Sequence, residues 1–334
     1  MAFFPVFLLI SDAAFSADSF YKGKTVRIIV GYPPGGGYDA NARALSRHIG
    51  KHIPGNPNVI VENKPGAGGM ISAKYLYKVA KPDGLSIGHF AGSGIFLSQI
   101  MGMPGIEFDA RKYEFIGAPS VGGVVCYVTK ASGITNIDQW MASKRPIKFG
   151  GVRIGSSIDT AGRALKAALG LPIKYISGYK GVNPIRLAVE SGELDGTVAS
   201  WYGLRVSWRK LIESGDVNVL LQAVPKPFPD LPGIPLAIDL AKTEEARQLI
   251  EAGAHSPAMI HFPFMLPPGT SKERVLVLRK AFHATMKDRE FLAETEKAKM
   301  AVDPVSGEEL KRVVDKLFQT DPALIAKLKE VAYK

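Results

Sequence analysis

A glycine-rich loop near the start of the chain has the composition of an anion-binding site. In GYPPGGGYDANARALSRHIG, residues 31–50, two prolines and three glycines stand between a segment that reads as a strand and one that reads as a helix. A glycine-rich turn that opens a helix presents bare backbone N–H groups at the positive end of the helix dipole. The stretch therefore predicts an anion bound against the main chain.

The same loop leaves a second interpretation open, which is dinucleotide binding. Residues 35–40 match the pattern G-x-G-x-x-A, and Glu62 ends the next predicted strand at about the spacing of a ribose-binding acid. Pro33 and Pro34, however, separate the strand from the first glycine, which disfavours the tight turn of that fingerprint. An NAD-dependent oxidoreductase therefore stays as the alternative function.

The other reactive side chains do not indicate catalysis or metal binding. Ser93 lies between glycines in AGSGI, without a recognisable base or acid partner and without a G-x-S-x-G motif. His48 and His52 are spaced i, i+4, but the glutamate of H-E-x-x-H is missing, and their basic helix face predicts solvation. Cys126, the single cysteine, lies in an apolar strand pattern typical of a core thiol. We therefore expect a receptor without a metal or cofactor, and not an enzyme.

Two consecutive strand–helix units position the glycine-rich segments. TVRIIV (residues 25–30) reads as a buried parallel strand, and in the helix after the first glycine loop (residues 31–37) Ala42, Leu45 and Ile49 share one face. The strand NVIVEN, the second glycine loop (residues 64–69) and the helix MISAKYLYKVA repeat this arrangement. Both loops then follow the carboxyl ends of parallel strands, where open α/β sheets bind ligands.

Strand and helix patterns keep alternating up to residue 224, which predicts a second α/β unit. Its segments are VVCYVT, a helix near TNID, IKFGG, a helix after GSSID, IKYIS, a helix from residue 182 and LDGTVAS. After the proline-rich stretch PKPFPDLPGIP the chain turns mainly helical, with capping boxes predicted from Thr270 to Glu273 and from Ser306 to Glu309.

The N-terminal residues and the charge bear on location and partners. An apolar block followed by small residues predicts a signal peptide over residues 1–17, and hence export to the periplasm. The 334-residue chain carries a net charge of +11, which suits an anionic partner. Its Lys and Arg residues are scattered and form no basic run, so we expect no nucleic-acid binding.

Four segments carry a resemblance to a known family. KTVRIIVGYPPGGGYDANARAL, VIVENKPGAGGMISAKYL, KPDG and YKGVNP resemble the Bug family, the periplasmic solute-binding receptors of tripartite tricarboxylate transporters. The resemblance runs from about Phe20 to the C-terminus. It implies an α/β fold of the type II periplasmic-binding-protein kind, in which two domains close as a clam on a small carboxylate held in the cleft. It also implies permease subunits of the transporter as partners, and we expect a monomeric receptor.

The resemblance further implies which loops hold the ligand. A helix start that carries serine hydroxyls, such as GSSID in the second domain, is again suited to a carboxylate. The residues expected to bind the ligand are Pro34, Gly35, Gly36 and Asp39 in the first glycine region, Asn63, Pro65, Gly66, Ala67 and Gly68 in the second, Ser93 in the loop AGSGI, and Gly155, Ser156, Ser157, Asp159, Tyr179 and Asn183 in the second domain.

Domain 1 is expected to comprise residues 19–121 together with 225–334, and domain 2 residues 122–224. After the strand LDGTVAS the chain departs from the family pattern with Trp201, Tyr202 and Arg205. We interpret the two aromatic residues as a wall over the apolar body of the ligand, and Arg205 as the partner of its second polar end. The competing interpretation is core packing. The first interpretation favours a dicarboxylate or an aromatic acid.

Overall fold

A computed structural model describes residues 20–333, which form two α/β units, each built on one β-sheet. The predicted signal peptide over residues 1–17 lies outside the described residues. The strands are β1 (Thr25–Val30), β2 (Asn58–Asn63), β3 (Ser86–His89), β4 (Glu114–Ala118), β5 (Val124–Thr129), β6 (Ile147–Gly151), β7 (Ile173–Ser177), β8 (Gly196–Ser200), β9 (Val217–Ala223), β10 (Phe264–Leu266) and β11 (Val305–Ser306).

Helices cover the sheets and join them. The α-helices are α1 (Gly37–Ile49), α2 (Met70–Lys78), α3 (Gly92–Ile100), α4 (Ile137–Met141), α5 (Ser157–Leu169), α6 (Val182–Glu190), α7 (Trp201–Ser207), α8 (Arg209–Glu213), α9 (Glu244–Ile250), α10 (Ser256–Met259), α11 (Lys272–Thr285), α12 (Arg289–Lys297), α13 (Gly307–Leu317) and α14 (Pro322–Tyr333).

The first sheet has the strand order β11-β4-β10-β3-β1-β2. As predicted, β1 is a parallel strand, since it pairs in parallel with both β2 and β3. The carboxyl ends of β1 and β2 therefore meet at one edge of the sheet, and the two glycine loops leave from that edge side by side.

Helix α1 begins directly after the first glycine loop because the sequence changes there from glycine to an amphipathic pattern. Ala42, Leu45 and Ile49 are buried on the core side, which confirms the predicted apolar face. At Gly35, two residues before the helix, φ is +85°, a conformation that favours glycine. The loop can therefore turn sharply from β1 into α1 despite its two prolines.

The second sheet has the order β7-β6-β8-β5-β9, with β6 parallel to both β7 and β8 and β5 antiparallel to β8 and β9. Cys126 in β5 is fully buried, as predicted for a core thiol, and burial raises its pKa well above the ordinary value. The thiol is therefore an apolar packing group.

The chain crosses between the two sheets twice, through residues 119–123 and through residues 224–263. The predicted division assigns everything after residue 224 to domain 1. However, Phe228 and Leu231 pack into one core of the second sheet, and Ala237, Ile250 and Ala254 pack into its other core. We propose that the second domain extends to about residue 254, because this segment buries its apolar side chains there.

The last third of the chain is mainly helical, as predicted, but it also adds β10 and β11 to the first sheet. The predicted cap at Ser306 is confirmed, since its hydroxyl accepts a hydrogen bond from Glu309 N at 3.2 Å. At the start of α11 the predicted cap is one residue early. Ser271 caps this helix, while the Thr270 hydroxyl donates to the Pro267 carbonyl.

Candidate ligand-binding cavity

A cavity of about 330 Å³ lies between the two α/β units, at the edge from which the first glycine loop leaves. Residues of both units form its wall. The lining residues are Tyr32, Pro33, Gly36, Gly37, Tyr38, Val152, Ser156, Ser157, Ile158, Lys180, Gly181, Val182, Asn183, Pro184, Ala199, Ser200, Gly203, Leu204, Ser207, His261 and Phe262.

Two helices begin at this cavity without a side chain that caps them. Gly36 precedes α1 and Gly181 precedes α6, and neither position supplies a capping hydrogen bond. The first main-chain bond at the start of α1 runs from Ala40 N to Gly36 O at 2.9 Å. The N–H groups of Gly37 and Tyr38 precede it, and such groups need partners from outside the helix. An anion in the cavity would supply them.

Asp39 and Asn63 hold the first glycine loop in place and do not line the cavity. The Asp39 carboxylate accepts hydrogen bonds from Gly35 N, Arg43 Nε and Asn63 Nδ2, each at 2.9 Å. Burial alone would raise the pKa of Asp39, but these three hydrogen bonds outweigh it and hold the pKa below its usual value. Asn63 also donates to the Tyr32 carbonyl. Both predicted ligand contacts are thus engaged within the protein.

Asp159 plays the corresponding part in the second unit. It is fully buried beneath the start of α5, where its carboxylate accepts hydrogen bonds from Val152 N at 2.7 Å, Ser156 Oγ at 2.8 Å and Ser177 Oγ at 2.5 Å. Burial raises its pKa, and the hydrogen bonds from the two serines and from Val152 oppose that rise. Ser156 and Ser157 themselves line the cavity, so Asp159 positions a helix start that the ligand would contact.

The second glycine loop lies behind the cavity wall. Residues 64–69 do not line the cavity, and the Tyr32 hydroxyl, whose side chain stands in front of them, donates to the Gly68 carbonyl at 3.0 Å. From the other unit, Arg153 Nε donates to the Ala67 carbonyl at 3.0 Å. The loop therefore links the two units, and Pro65, Gly66, Ala67 and Gly68 are not among the residues that line the cavity.

Trp201 and Arg205 do not form the predicted wall and second polar contact. Trp201 is buried in a core of the second unit, where it packs with Leu204 and other apolar side chains, as the competing interpretation of core packing expects. Arg205 forms an ion pair with Asp230 and lies outside the cavity. Tyr202 borders a separate, much smaller cavity.

Other aromatic residues form the wall instead. Tyr32 and Tyr38 stack with their ring centroids 4.5 Å apart, and Phe262 packs against Tyr38 at 4.8 Å. The two tyrosines flank the first glycine loop in sequence, which is the signal that could have identified them. Phe262 and His261 lie more than 200 residues away, and only the tertiary fold brings them to the cavity.

Ser93 has a partner that the sequence did not reveal. Its hydroxyl lies 2.9 Å from Nδ1 of His261, and His261 lines the cavity. Of the remaining predicted residues, Gly36 and Asn183 line the cavity, whereas Pro34, Gly35 and Gly155 are only adjacent in sequence to residues that line it. Tyr179 instead donates to the exposed carboxylate of Glu193.

The charges around the cavity favour an anion. Among the described residues that line it, Lys180 carries the one charged side chain, and none is Asp or Glu. The starts of α1, α5 and α6 add the positive ends of three helix dipoles. A cavity enclosed by two α/β units, with helix starts from both units and an otherwise largely apolar wall, defines a receptor for a small anionic solute.

The comparisons with known proteins identify the family. Residues 42–329 match the family described as tripartite tricarboxylate transporter family receptor, and the chain belongs to this family. BugT of Bordetella pertussis is 25% identical over 283 residues, which cover 83% of this chain and 80% of BugT. The resemblance to the Bug family is thereby confirmed.

Two solved structures have the same two-domain fold. The periplasmic binding protein BugD is 22% identical, with a TM-score of 0.72 over 93% of this chain and 98% of BugD. The R. palustris protein Rpa4515 with adipate is 19% identical, with a TM-score of 0.72 over 93% of this chain and 97% of that protein. The predicted fold class is confirmed.

The alternative of an NAD-dependent oxidoreductase gains no support. Glu62, its candidate ribose ligand, is exposed on the edge strand β2 and pairs with Lys64 at 3.5 Å, away from the cavity. His48 in α1 pairs with Glu294, and His52, three residues after the end of α1, pairs with Asp288, so both are less solvated than predicted. Within residues 20–333, the helices are too short or too polar to cross a bilayer.

Proposed function

We propose that the protein captures a small organic carboxylate in this cavity and delivers it to the permease subunits of a tripartite tricarboxylate transporter. One observation carries the proposal: uncapped helix starts from the two units, Gly37 of α1 and Val182 of α6, border the same cavity. A carboxylate accepts several hydrogen bonds at once, so it satisfies such N–H groups better than a neutral ligand does.

The wall between the helix starts favours a ligand with an apolar body. Pro33, Ile158, Val182, Leu204 and Phe262 supply carbon surface, and the hydroxyl and amide groups of the other lining residues make up only a small part of the surface that faces the cavity. A dicarboxylate or an aromatic acid fits this distribution better than a heavily hydroxylated acid does. The related structure of Rpa4515 with adipate supports a dicarboxylate.

The proposal also covers the cellular location and the oligomeric state of this receptor. We propose that residues 1–17 direct export to the periplasm, where the receptor binds its ligand as a monomer before it docks on the permease. The related protein BugD is a periplasmic binding protein, which agrees with this location.

A thermal-shift screen of carboxylates tests the proposal. Ligand at 100 times its Kd adds about 2.7 kcal/mol to the free energy of unfolding, which raises the melting temperature by several degrees. We expect adipate, succinate or an aromatic acid to give this shift and NADH to give none. A shift with NADH alone would favour the oxidoreductase instead.

Lys180 offers a matched pair of variants for the same assay. Lys180 lines the cavity, whereas Lys174 is exposed on β7, away from it. We expect Lys180→Met to weaken binding of the best acid about tenfold through loss of a charged hydrogen-bond donor. Lys174→Met has no such role and serves as the control for the change in net charge. Equal effects of the two substitutions would contradict a direct role of Lys180.

A further inference from the structure

His261 is a buried polar residue of the cavity wall to which the family resemblance assigned no role. It is 5% exposed, lies three residues before the start of β10, and lines the cavity. Behind it, Ser93 near the start of α3 is 1% exposed, and the two side chains meet at 2.9 Å between Ser93 Oγ and His261 Nδ1. One ring nitrogen is therefore engaged within the protein, and Nε2 remains for a ligand.

The main chain of His261 is fixed from two sides. The Tyr38 hydroxyl donates to its carbonyl at 2.8 Å, and Tyr38 belongs to the start of α1 at the same cavity. From the crossing segment, Gly122 packs so closely that a Cβ placed on it would lie 2.2 Å from the His261 Cβ. These contacts hold the imidazole in one position in the cavity wall.

The hydrogen bond to Ser93 selects one tautomer of the imidazole. Burial lowers the pKa of His261 to about 4, so near pH 7 the ring is neutral and carries one N–H. Among the described residues, the Ser93 side chain makes this one hydrogen bond, and its buried hydroxyl proton needs an acceptor. Nδ1 accepts that proton, which leaves the ring N–H on Nε2.

We propose that His261 is a specificity-determining residue, whose Nε2–H donates to an oxygen of the bound acid, and that Ser93 is the positioning residue that fixes this tautomer. The inference rests on the proposed function and narrows its substrate class. A donor at this point, together with a wall that has no Asp or Glu among the described residues, gives an ammonium group no charged partner. The receptor therefore selects dicarboxylates that lack an amino group.

Calorimetric titration with matched acids tests the proposal. The probes are two pairs, succinate with L-aspartate and adipate with L-2-aminoadipate, which differ by one amino group within each pair. We expect the wild type to bind the plain acid of the better pair at least tenfold more tightly. His261→Phe should weaken that acid about tenfold or more and reduce the ratio within the pair. His261→Gln, whose amide N–H can replace Nε2–H as the donor, should retain most of the affinity and most of the ratio within the pair.

The variant Ser93→Ala and a spectroscopic measurement show whether Ser93 fixes the tautomer of His261 or only packs against the ring. Nitrogen-15 chemical shifts report the tautomer directly, and we expect the Nε2–H form of His261 in the wild type and a mixture in Ser93→Ala. Melting temperatures without ligand show whether each variant folds.

These experiments can fail in two distinguishable ways, one for the receptor function and one for the role of His261 that rests on it. If the wild type binds no carboxylate, both the receptor function and the proposed role of His261 are wrong. Tight binding with the same selectivity in a folded His261→Phe variant, or an Nδ1–H tautomer in the wild type, would overturn the inference and leave the receptor function standing.

Discussion

Arg153 of the second unit donates a hydrogen bond from Nε to the carbonyl oxygen of Ala67 in the second glycine loop of the first unit, at 3.0 Å. Ala67 has a φ of +46°, which is uncommon for a residue with a side chain, and its strained carbonyl is the acceptor of this bond. A second link runs from Ser98 Oγ to the Gly155 carbonyl at 2.8 Å. These contacts hold the two units together beside the cavity.

Removal of the Arg153 link should weaken ligand binding without touching the ligand. Loss of one hydrogen bond by Arg153→Ala lowers the stability of this arrangement of the two units, in which both line the cavity, by about 1 kcal/mol, so we expect the Kd of the best acid to rise about fivefold. Calorimetry measures the Kd, and small-angle scattering measures the radius of gyration without ligand. Arg209→Ala, which breaks an exposed pair within α8, is the matched control. Equal affinity in both variants would show that the link has no part in closure.

Asp39 should contribute stability that depends on pH. Because its folded pKa lies below the value of about 3.9 in unfolded chains, its contribution is fully present above that value and is lost as the pH falls through the folded pKa. Asp39→Asn should therefore lower the free energy of unfolding by about 1–3 kcal/mol at pH 7 and flatten its decline between pH 5 and pH 2. Urea unfolding across this range measures both effects. The exposed Asp303→Asn should change neither, and a steep decline retained in Asp39→Asn would contradict the account.

The positions of Trp201 and Arg205 predict opposite results for two neighbouring substitutions. Trp201→Ala removes a buried ring and should lower the free energy of unfolding by about 3–5 kcal/mol. Arg205→Ala breaks a partly exposed ion pair and should leave both stability and the Kd of the best acid nearly unchanged. A large loss of affinity in a folded Arg205→Ala variant would return this residue to the ligand site.

Local patterns predicted the elements around the cavity well. The first glycine loop and α1 follow from a run of Gly and Pro beside an amphipathic repeat, and both signals act over a few residues. The short strands β10 and β11 have three and two residues, so they are defined by pairing with β4 and not by any pattern of their own.

The features that the sequence did not predict depend on tertiary packing. A tryptophan directly after a strand, such as Trp201, can either line a ligand cavity or pack in the hydrophobic core. The packing of α7 against the second sheet places Trp201 in the core. His261 and Ser93 are separated by 168 residues, so their contact depends on how β10 pairs with β3. The contacts of residues 228–254 with the second sheet likewise follow from packing, since their proline-rich start looks like a simple linker.

The most direct test of the carboxylate cavity is a calorimetric titration of wild type and Gly36→Leu with the best acid from the screen. Gly36 has a negative φ of −91°, and a Cβ built there has its nearest neighbour, the Pro33 carbonyl oxygen, at 4.0 Å. Because a Cβ at this position meets no close contact, we expect the leucine side chain to occupy the cavity that Gly36 lines while the fold is retained. We predict one acid per chain in the wild type and no measurable binding in a Gly36→Leu variant that melting experiments show to be folded. Binding of equal affinity in that variant would contradict the site.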